Sequence, residues 1–464
     1  MKTRIESDSL GKRAIPKDAY YGIQTHRALE NFPISGLKPK PAYVEATVQI
    51  KKAAAIVNHK LGLLDLRKSR AIVGASEEIL RGKLREWFLV DVYQAGAGTS
   101  HNMNTNEVIA NRAIEILRGQ KGDYSIVHPN DHVNMSQSTN DVCPTAIRIA
   151  SLMLTEKLTE SLRLLEAEFR RKGKQFDRVI KAGRTHLQDA VPVRLGQEFS
   201  AYGISVQKHR AAISAAAESC KELGIGGTAT GTGLNSHPKY RTLMVNQLSK
   251  QLGIRFAKAD DYFEAMQSLR PMVALSGAVR NLAQDLIRIA NDIRLLASGP
   301  KTGLAELNLP AVQPGSSIMP GKVNPVMAEM LTMVCFQAIG YDTTVLLAAQ
   351  AGQLELNVMM PVVAYDLLEQ IEIVSQAIRS FTKFCLRGIT PNEKRAKMYA
   401  EASMSIVTAL NPHLGYAKAA EIAKESLKSG KSIREILLER HLLTERQIDS
   451  IFDLRGMTEP GIRS

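Results

Sequence analysis

The chain has 464 residues, enough for two or three domains, and its 44% hydrophobic and 23% charged content is that of an ordinary globular protein. Its formal net charge is +14, but basic residues stand beside acidic ones, as in LEAEFRRKGK (165–174), with no basic arm and no DNA- or RNA-reading motif. Nucleic acid is therefore not the expected partner, and a positive field drawing in a small dianion fits the same charge.

Cys143, Cys220, Cys335 and Cys385 are far apart, without a CxxC pair or His-rich spacing. Free thiols, no structural metal and a cytoplasmic location are expected. The first residues, MKTRIESDSLGKR, lack the apolar core of a secretory signal, and no run of eighteen apolar residues predicts a membrane span. Aromatics make up only 5%, so cores must come from Ala, Leu, Ile, Val and Met, which favours helices.

Residues 1–40 are polar and broken by Pro16, Gly22 and Pro33, with an amphipathic stretch at IPKDAYYGIQTHRALENF (15–32). Helical periodicity runs from Pro41 to Leu89, with Gly62, Gly74 and Gly82 as expected breaks. Residues 91–107, DVYQAGAGTSHNMNTNE, read as a polar segment that leads into a helix ending at Gly119. Thr99, Ser100, Asn102, Asn104 and Asn106 there are candidate donors to a carboxylate. A second polar segment, HPNDHVNMSQSTN (128–140), precedes a helix that Asp141 can cap, with Pro144 in its first turn. Ser138, Thr139 and Asn140 thus stand at a helix N-terminus, where backbone N–H groups favour an anion.

That helix carries Ile147, Ala150, Leu154, Leu158, Leu162, Leu165 and Phe169 in steps of three and four. A third polar segment, GRTHLQDAVPV (183–193), brings Thr185 and His186, and a helix over about 194–223 follows it. GIGGTATGTGLN (224–235) is expected to be a loop. Met272, Leu275, Val279, Leu282, Leu286, Ile289, Ile293 and Leu296 form a heptad seam. More helix is expected over 325–350 and 361–387, giving about five long helices between 141 and 390 and no strand alternation longer than a few residues. The expected class is all-α with a central helical bundle. Beyond Pro391 lie short helices, with capping-box spacing at Ser432/Glu435 and Thr444/Gln447.

The fourth polar segment is QPGSSIMPGKVNP (313–325). Its prolines and glycines exclude helix and strand, so it must be an ordered loop. Gly315 and Gly321 free the backbone to turn N–H groups toward an anion; Ser316, Ser317, Lys322 and Asn324 add hydroxyls, a charge and an amide. Ile318, Met319 and Val323 read as apolar anchors. Any one of the four segments is compatible with simple helix capping, but four in one helical chain point to a shared polar pocket.

GSSIMPGKVNP resembles the signature of the aspartase–fumarase superfamily. GAGTSHNMNTNEV (96–108), SQSTND (136–141), GRTHLQDAVP (183–192) and GTGLN (231–235) extend the resemblance in family order over nearly the whole chain. Thr139, GAGTSxNMN and AVPV are closer to the aspartase branch than to the fumarase branch, whereas GRTH is common to fumarases and one group of aspartases. Ala95 and Lys301 stand where many aspartases have Gly and Arg.

The resemblance implies a three-domain fold (1–140, 141–390 and 391–464) and a homotetramer with a shared helical core, each active site taking segments from three chains. It implies elimination of ammonia from L-aspartate to give fumarate, without cofactor or metal; hydration of fumarate, as by a class II fumarase, is the alternative. Thr99, Ser138, Thr139 and Ser317 would hold the β-carboxylate. Lys322, Asn324 and Thr185 would hold the α-carboxylate. Asn140 and His186 would face the amino group, Glu329 would orient His186, and Ser316 would be the general base. With these residues present, a non-catalytic crystallin-like role is not expected.

Overall fold

The computed structural model describes residues 2–462. The chain opens with an antiparallel hairpin, β1 (Thr3–Asp8) and β2 (Gly11–Pro16), in the register Thr3↔Pro16 to Asp8↔Gly11. This was not legible as alternation. Helices α1 (Ile23–Asn31), α2 (Pro41–Lys60), α3 (Leu66–Leu80) and α4 (Thr99–Ile116) follow. Gly62 ends α2 and Gly82 follows α3, but Gly74 lies inside α3. One helical glycine costs about 1 kcal/mol; burial of Ala71, Ile72, Ala75 and Ile79 on the same helix offsets it.

A core cluster gathers Ile15, Val48, Ile72, Phe88, Ile109 and Val133 with their neighbours, all from the first 135 residues. Five helices of 24 residues or more come next in the described residues: α5 (Thr139–Gln175), α6 (Leu195–Glu218), α9 (Arg270–Leu296), α10 (Val326–Gln350) and α11 (Met360–Phe384). Between them lie α7 (Tyr240–Leu252) and the short α8 (Tyr262–Gln267). A second hairpin, β3 (Ile180–Thr185) and β4 (Gln188–Arg194), precedes α6. The described tail has five short α-helices: α12 (Glu393–Ala402), α13 (Asn411–Leu414), α14 (Tyr416–Ser429), α15 (Ile433–Glu439) and α16 (Glu445–Ile451). The class is all-α, and the sheets among the described residues are two-stranded.

Contacts divide the chain into two units. One comprises Met1–Glu160, His209–Gln284 and Val334–Gln376; the other comprises Ser161–Lys208, Asp285–Met333 and Ala377–Ser464. Helices α5, α6, α9, α10 and α11 have residues in both. Within the first unit the Gln370 side-chain amide donates to the carbonyls of Ser276 (3.3 Å) and Ala338 (3.0 Å), tying α11 to α9 and α10. Within the second, Tyr202 of α6 bonds Asp292 of α9 at 3.1 Å, and Arg379 of α11 bonds Ser161 of α5 at 2.8 Å.

The periodicities match the burial. All seven residues of the α5 stripe and all eight of the α9 seam are buried. Each Leu, Ile, Val, Met or Phe among them contributes about 1.5–3 kcal/mol. The seam is therefore spent inside the chain. Apolar surface is left open on α10, where Met333 is 63% and Phe336 60% exposed, with Leu346 and Leu347 also exposed. α10 is long and apolar enough to cross a membrane (mean hydropathy 1.4), and only 33% of that stretch is buried. A search for eighteen unbroken apolar residues passes over it because Glu329, Gln337 and Asp342 interrupt the run. Both capping boxes form, Ser432 with Glu435 and Thr444 with Gln447. They start two helices whose apolar faces build a separate cluster with Leu410, Ile422, Ile436 and Ile448.

Candidate active site

The first unit holds two of the four polar segments. Helix α4 begins at Thr99, well before the apolar run that predicts it. Residues 100–106 are therefore helical and buried. They do not offer a ligand their amides as expected: Asn102 donates to Thr139 Oγ1 (3.1 Å) and Asn134 Oδ1 (3.3 Å), and Asn104 to the Trp87 carbonyl (3.0 Å). These tertiary partners overcome the poor helix propensity of asparagine. Thr99 itself stays exposed at the helix N-terminus, beside N–H groups with no partner inside the helix.

Helix α5 starts at Thr139, which puts Pro144 in its second turn. Ser138, not Asp141, caps it: Ser138 Oγ accepts from the Asn140 N–H (3.2 Å), and Asp141 Oδ1 accepts in return from the Ser138 N–H (2.9 Å). Thr139 is nearly buried, and Asn140 is half-buried with its side-chain N–H donated to the Ala229 carbonyl (2.8 Å). Asp141, wholly buried, also accepts from the N–H groups of Gly226 (2.9 Å) and Thr228 (3.0 Å).

Below them Lys51, also buried, donates to Asn134 Oδ1 (2.8 Å) and Gln137 Oε1 (3.0 Å). Burial pushes the Asp141 carboxyl up to about 6 against those three N–H groups and the Lys51 charge, leaving it ionised at neutral pH. Burial pushes Lys51 down to about 7, with Asp141 opposing. His101, stacked on Tyr43 with 4.3 Å between ring centres, is pushed down to about 3 by burial and the Lys51 charge, and so is neutral. Lys51 gave no local signal, since KKAAA is unremarkable helix.

The second unit holds the other two segments. GRTHLQDAVPV makes up most of the β3–β4 hairpin. His186 and Leu187 form its two-residue turn with φ of 55° and 60°, the left-handed pair that a tight hairpin requires. Thr185 and His186 are exposed at its tip. Behind the tip, Arg184 Nη1 donates to both oxygens of buried Glu306 (3.1 and 3.0 Å), and at the base Lys181 reaches Glu198 at 2.9 Å.

The 313–325 segment is an irregular loop, as expected. Its two arms touch: Ser316 N–H donates to the Lys322 carbonyl (3.1 Å), and a Cβ on Gly315 would lie 1.2 Å from that oxygen, so only glycine fits. Ser316 Oγ accepts from the N–H groups of Ile318 (3.2 Å) and Met319 (3.1 Å). Ser317 and Lys322 are exposed. Ile318 (85%), Met319 and Val323 are exposed as well, so they do not anchor the loop; its backbone bonds do. A cleft of ≈ 480 Å³ adjoins the loop, lined by Leu307, Asn308, Lys322, Asn324 and Asn392 among others. Glu329, in the first turn of α10, pairs with Arg294 at 4.0 Å.

The expected residues thus fall into two groups. Thr99, Ser138, Thr139 and Asn140 belong to the first unit, and Thr185, His186, Ser316, Ser317, Lys322, Asn324 and Glu329 to the second. Among the described residues no three His, Cys, Asp or Glu side chains gather as a metal site would need.

A lyase family model matches residues 11–340, and a fumarase C C-terminal model matches 406–459. The chain is 50% identical over 459 residues to the aspartate ammonia-lyase of Bacillus subtilis, covering 99% of this chain and 97% of that protein. It is 47% identical over 448 residues to the class II fumarate hydratase of Thermosynechococcus vestitus, covering 96% of each. A crystal structure titled fumarate lyase:delta crystallin, from Brucella melitensis and bound to cobalt, superimposes with a TM-score of 0.96 at 48% identity, covering 99% of this chain and all of that one. With a fold, a motif order and a full-length identity all held in common, the chain belongs to the lyase family that aspartases and class II fumarases share, the aspartase–fumarase superfamily.

Proposed function

We propose that this chain catalyses the reversible deamination of L-aspartate to fumarate and ammonia. The hard step removes a weakly acidic proton from the carbon next to the β-carboxylate, leaving a dianionic enediolate. Ser316 Oγ takes that proton as an alkoxide, the enediolate electrons form the C=C bond, and the C–N bond breaks to release ammonia. The single observation that carries the reading is that Ser316 Oγ already accepts two backbone N–H groups, those of Ile318 and Met319. Donors to an oxygen favour its anionic form, which a serine needs to act as a base.

Thr99, Ser138, Thr139 and Ser317 hold the β-carboxylate and its enediolate, and the positive dipole ends at the N-termini of α4 and α5 add to that field. Lys322, Asn324 and Thr185 hold the α-carboxylate. Asn140 and His186 face the amino group, with Glu329 orienting His186. The bare tip of the β3–β4 hairpin and the exposed loop support a site completed by other chains of a homotetramer. The open apolar face of α10 suits burial in that assembly better than exposure to water. The division into 1–140, 141–390 and 391–464 belongs to the same reading, supported by two core clusters confined to the first and last segments. Four free, buried thiols fit a cytoplasmic setting.

The experiment is fumarate formation by ultraviolet absorbance, with L-aspartate and then L-malate. Turnover of L-aspartate supports the proposal. Turnover of L-malate alone supports a fumarase, the reading favoured by the 47% identity to a class II fumarate hydratase.

A further inference from the structure

We infer that Asp141 is a positioning residue for amine specificity: it clamps the 224–235 loop, and the loop turns the Asn140 amide so that its oxygen faces the substrate's ammonium group. The inference rests on the reading above, in which Asn140 meets that group. An ammonium presents only N–H donors, so a partner that discriminates for it must present an acceptor. An asparagine side chain offers an oxygen or an NH₂ with nearly the same shape, and something must decide which end points outward. Here the Ala229 carbonyl, an acceptor only, takes the NH₂ at 2.8 Å, which leaves the amide oxygen for the ligand.

Ala229 itself is exposed, but residues 224–228 before it are buried, and side chains of α5 and α7 hold that stretch. Oδ2 of Asp141 accepts the N–H groups of Gly226 and Thr228, both left-handed at φ of 91° and 57°. From the opposite face Arg241 donates to the Gly226 carbonyl (3.0 Å) and the Gly231 carbonyl (2.7 Å), with its guanidinium 3.8 Å from the centre of the Tyr262 ring. The other oxygen of Asp141 bonds the Ser138 N–H. One fully buried carboxylate therefore joins the start of α5 to the loop that sets its second residue. A helix cap alone would need only the Ser138 bond; the two bonds to Gly226 and Thr228 serve the loop.

The test uses the full-length oligomer in the direction of ammonia addition to fumarate, varying ammonium and fumarate separately. D141N replaces an acceptor by a donor opposite N–H groups. R241K weakens the loop's other clamp without touching α5. Each variant is expected to raise the KM for ammonium by about tenfold or more, the worth of one hydrogen bond to a charged group, and the KM for fumarate by less than about threefold, within one ordinary hydrogen bond. An unchanged ammonium KM, or an equal rise in both constants, overturns the inference, the second because it marks a general loosening. If D141N does not fold, R241K decides alone. If neither folds, amide exchange of the wild-type Gly226 and Thr228 decides: protection supports the clamp and free exchange refutes it. A wild-type enzyme that hydrates fumarate but does not aminate it refutes the proposed function instead, a different result from any of these.

Discussion

Glu107 gives the sharpest prediction about how the N-terminal segment is held. It lies two turns into α4 and is buried, and it caps a different helix. Its carboxylate accepts from the N–H groups of Gly22 (2.9 Å), Gln24 (2.8 Å) and Thr25 (3.1 Å) and from the Thr25 hydroxyl (2.6 Å). The residue before α1 is Gly22, which has no side chain to cap with, so Glu107 performs that service from afar. Burial pushes its carboxyl up to about 7 while the four donors pull against it, so the assay belongs at pH 8, where the carboxylate is charged.

Three of the four donors share Oε2 and one uses Oε1. Glu107→Gln can keep its oxygen at the crowded position and lose only the Gln24 contact, a cost of about 1–3 kcal/mol. Glu107→Ala loses all four, about 6 kcal/mol at the modest end of about 1.5 kcal/mol for each bond to a charged group. Amide exchange across residues 20–31 reads this directly. The opening rate should rise about tenfold to a hundredfold for Gln and at least about a thousandfold for Ala, since about 1.4 kcal/mol is tenfold. Wild-type protection in the Ala variant, or equal damage from both, would falsify the capping argument.

Other outcomes follow from the same geometry. Ser316→Ala should cut turnover by about a hundredfold to ten-thousandfold, the range for a lost general base, and leave the binding of a non-reacting dicarboxylate intact; wild-type-like turnover would remove Ser316 from the chemistry. Lys322→Ala should raise the KM for L-aspartate about thirtyfold or more, as losing one partner of a desolvated charge pair does; an unchanged KM would place the α-carboxylate elsewhere. His101 is held neutral down to about pH 3, against an ordinary value of 6.5. Below 6.5 the unfolded chain binds a proton that the fold rejects, so stability from this group is full above 6.5 and lost as pH falls toward 3, by up to about 1.4 kcal/mol per unit. His101→Gln should abolish that slope in unfolding measured from pH 7.5 to 5; a pH-independent difference from wild type would contradict it. Phe336→Glu, on the open face of α10, should leave monomers or dimers in sedimentation; an intact tetramer would mean this face is not the interface.

The parts of this chain that read correctly from its residues are those fixed by neighbours in sequence. The α5 stripe and the α9 seam depend only on steps of three and four, and every one of their residues is buried. The capping boxes at Ser432 and Thr444 depend on two residues three apart, and the 313–325 loop on its own prolines and glycines. Where partners lie far off in the chain, local reading fails. Asn102 and Asn104 look like turn formers until Thr139 and the Trp87 carbonyl make them good helix residues. The His186 turn looks like a polar loop until two short strands pair across it. Asp141 reads as an ordinary cap, because its bonds to Gly226 and Thr228 span 85 and 87 residues. Hydrophobic period and capping act over one or two turns of backbone and leave their mark in the order of residues. The pairing of buried polar groups acts across the core, and only the folded chain brings those donors and acceptors together.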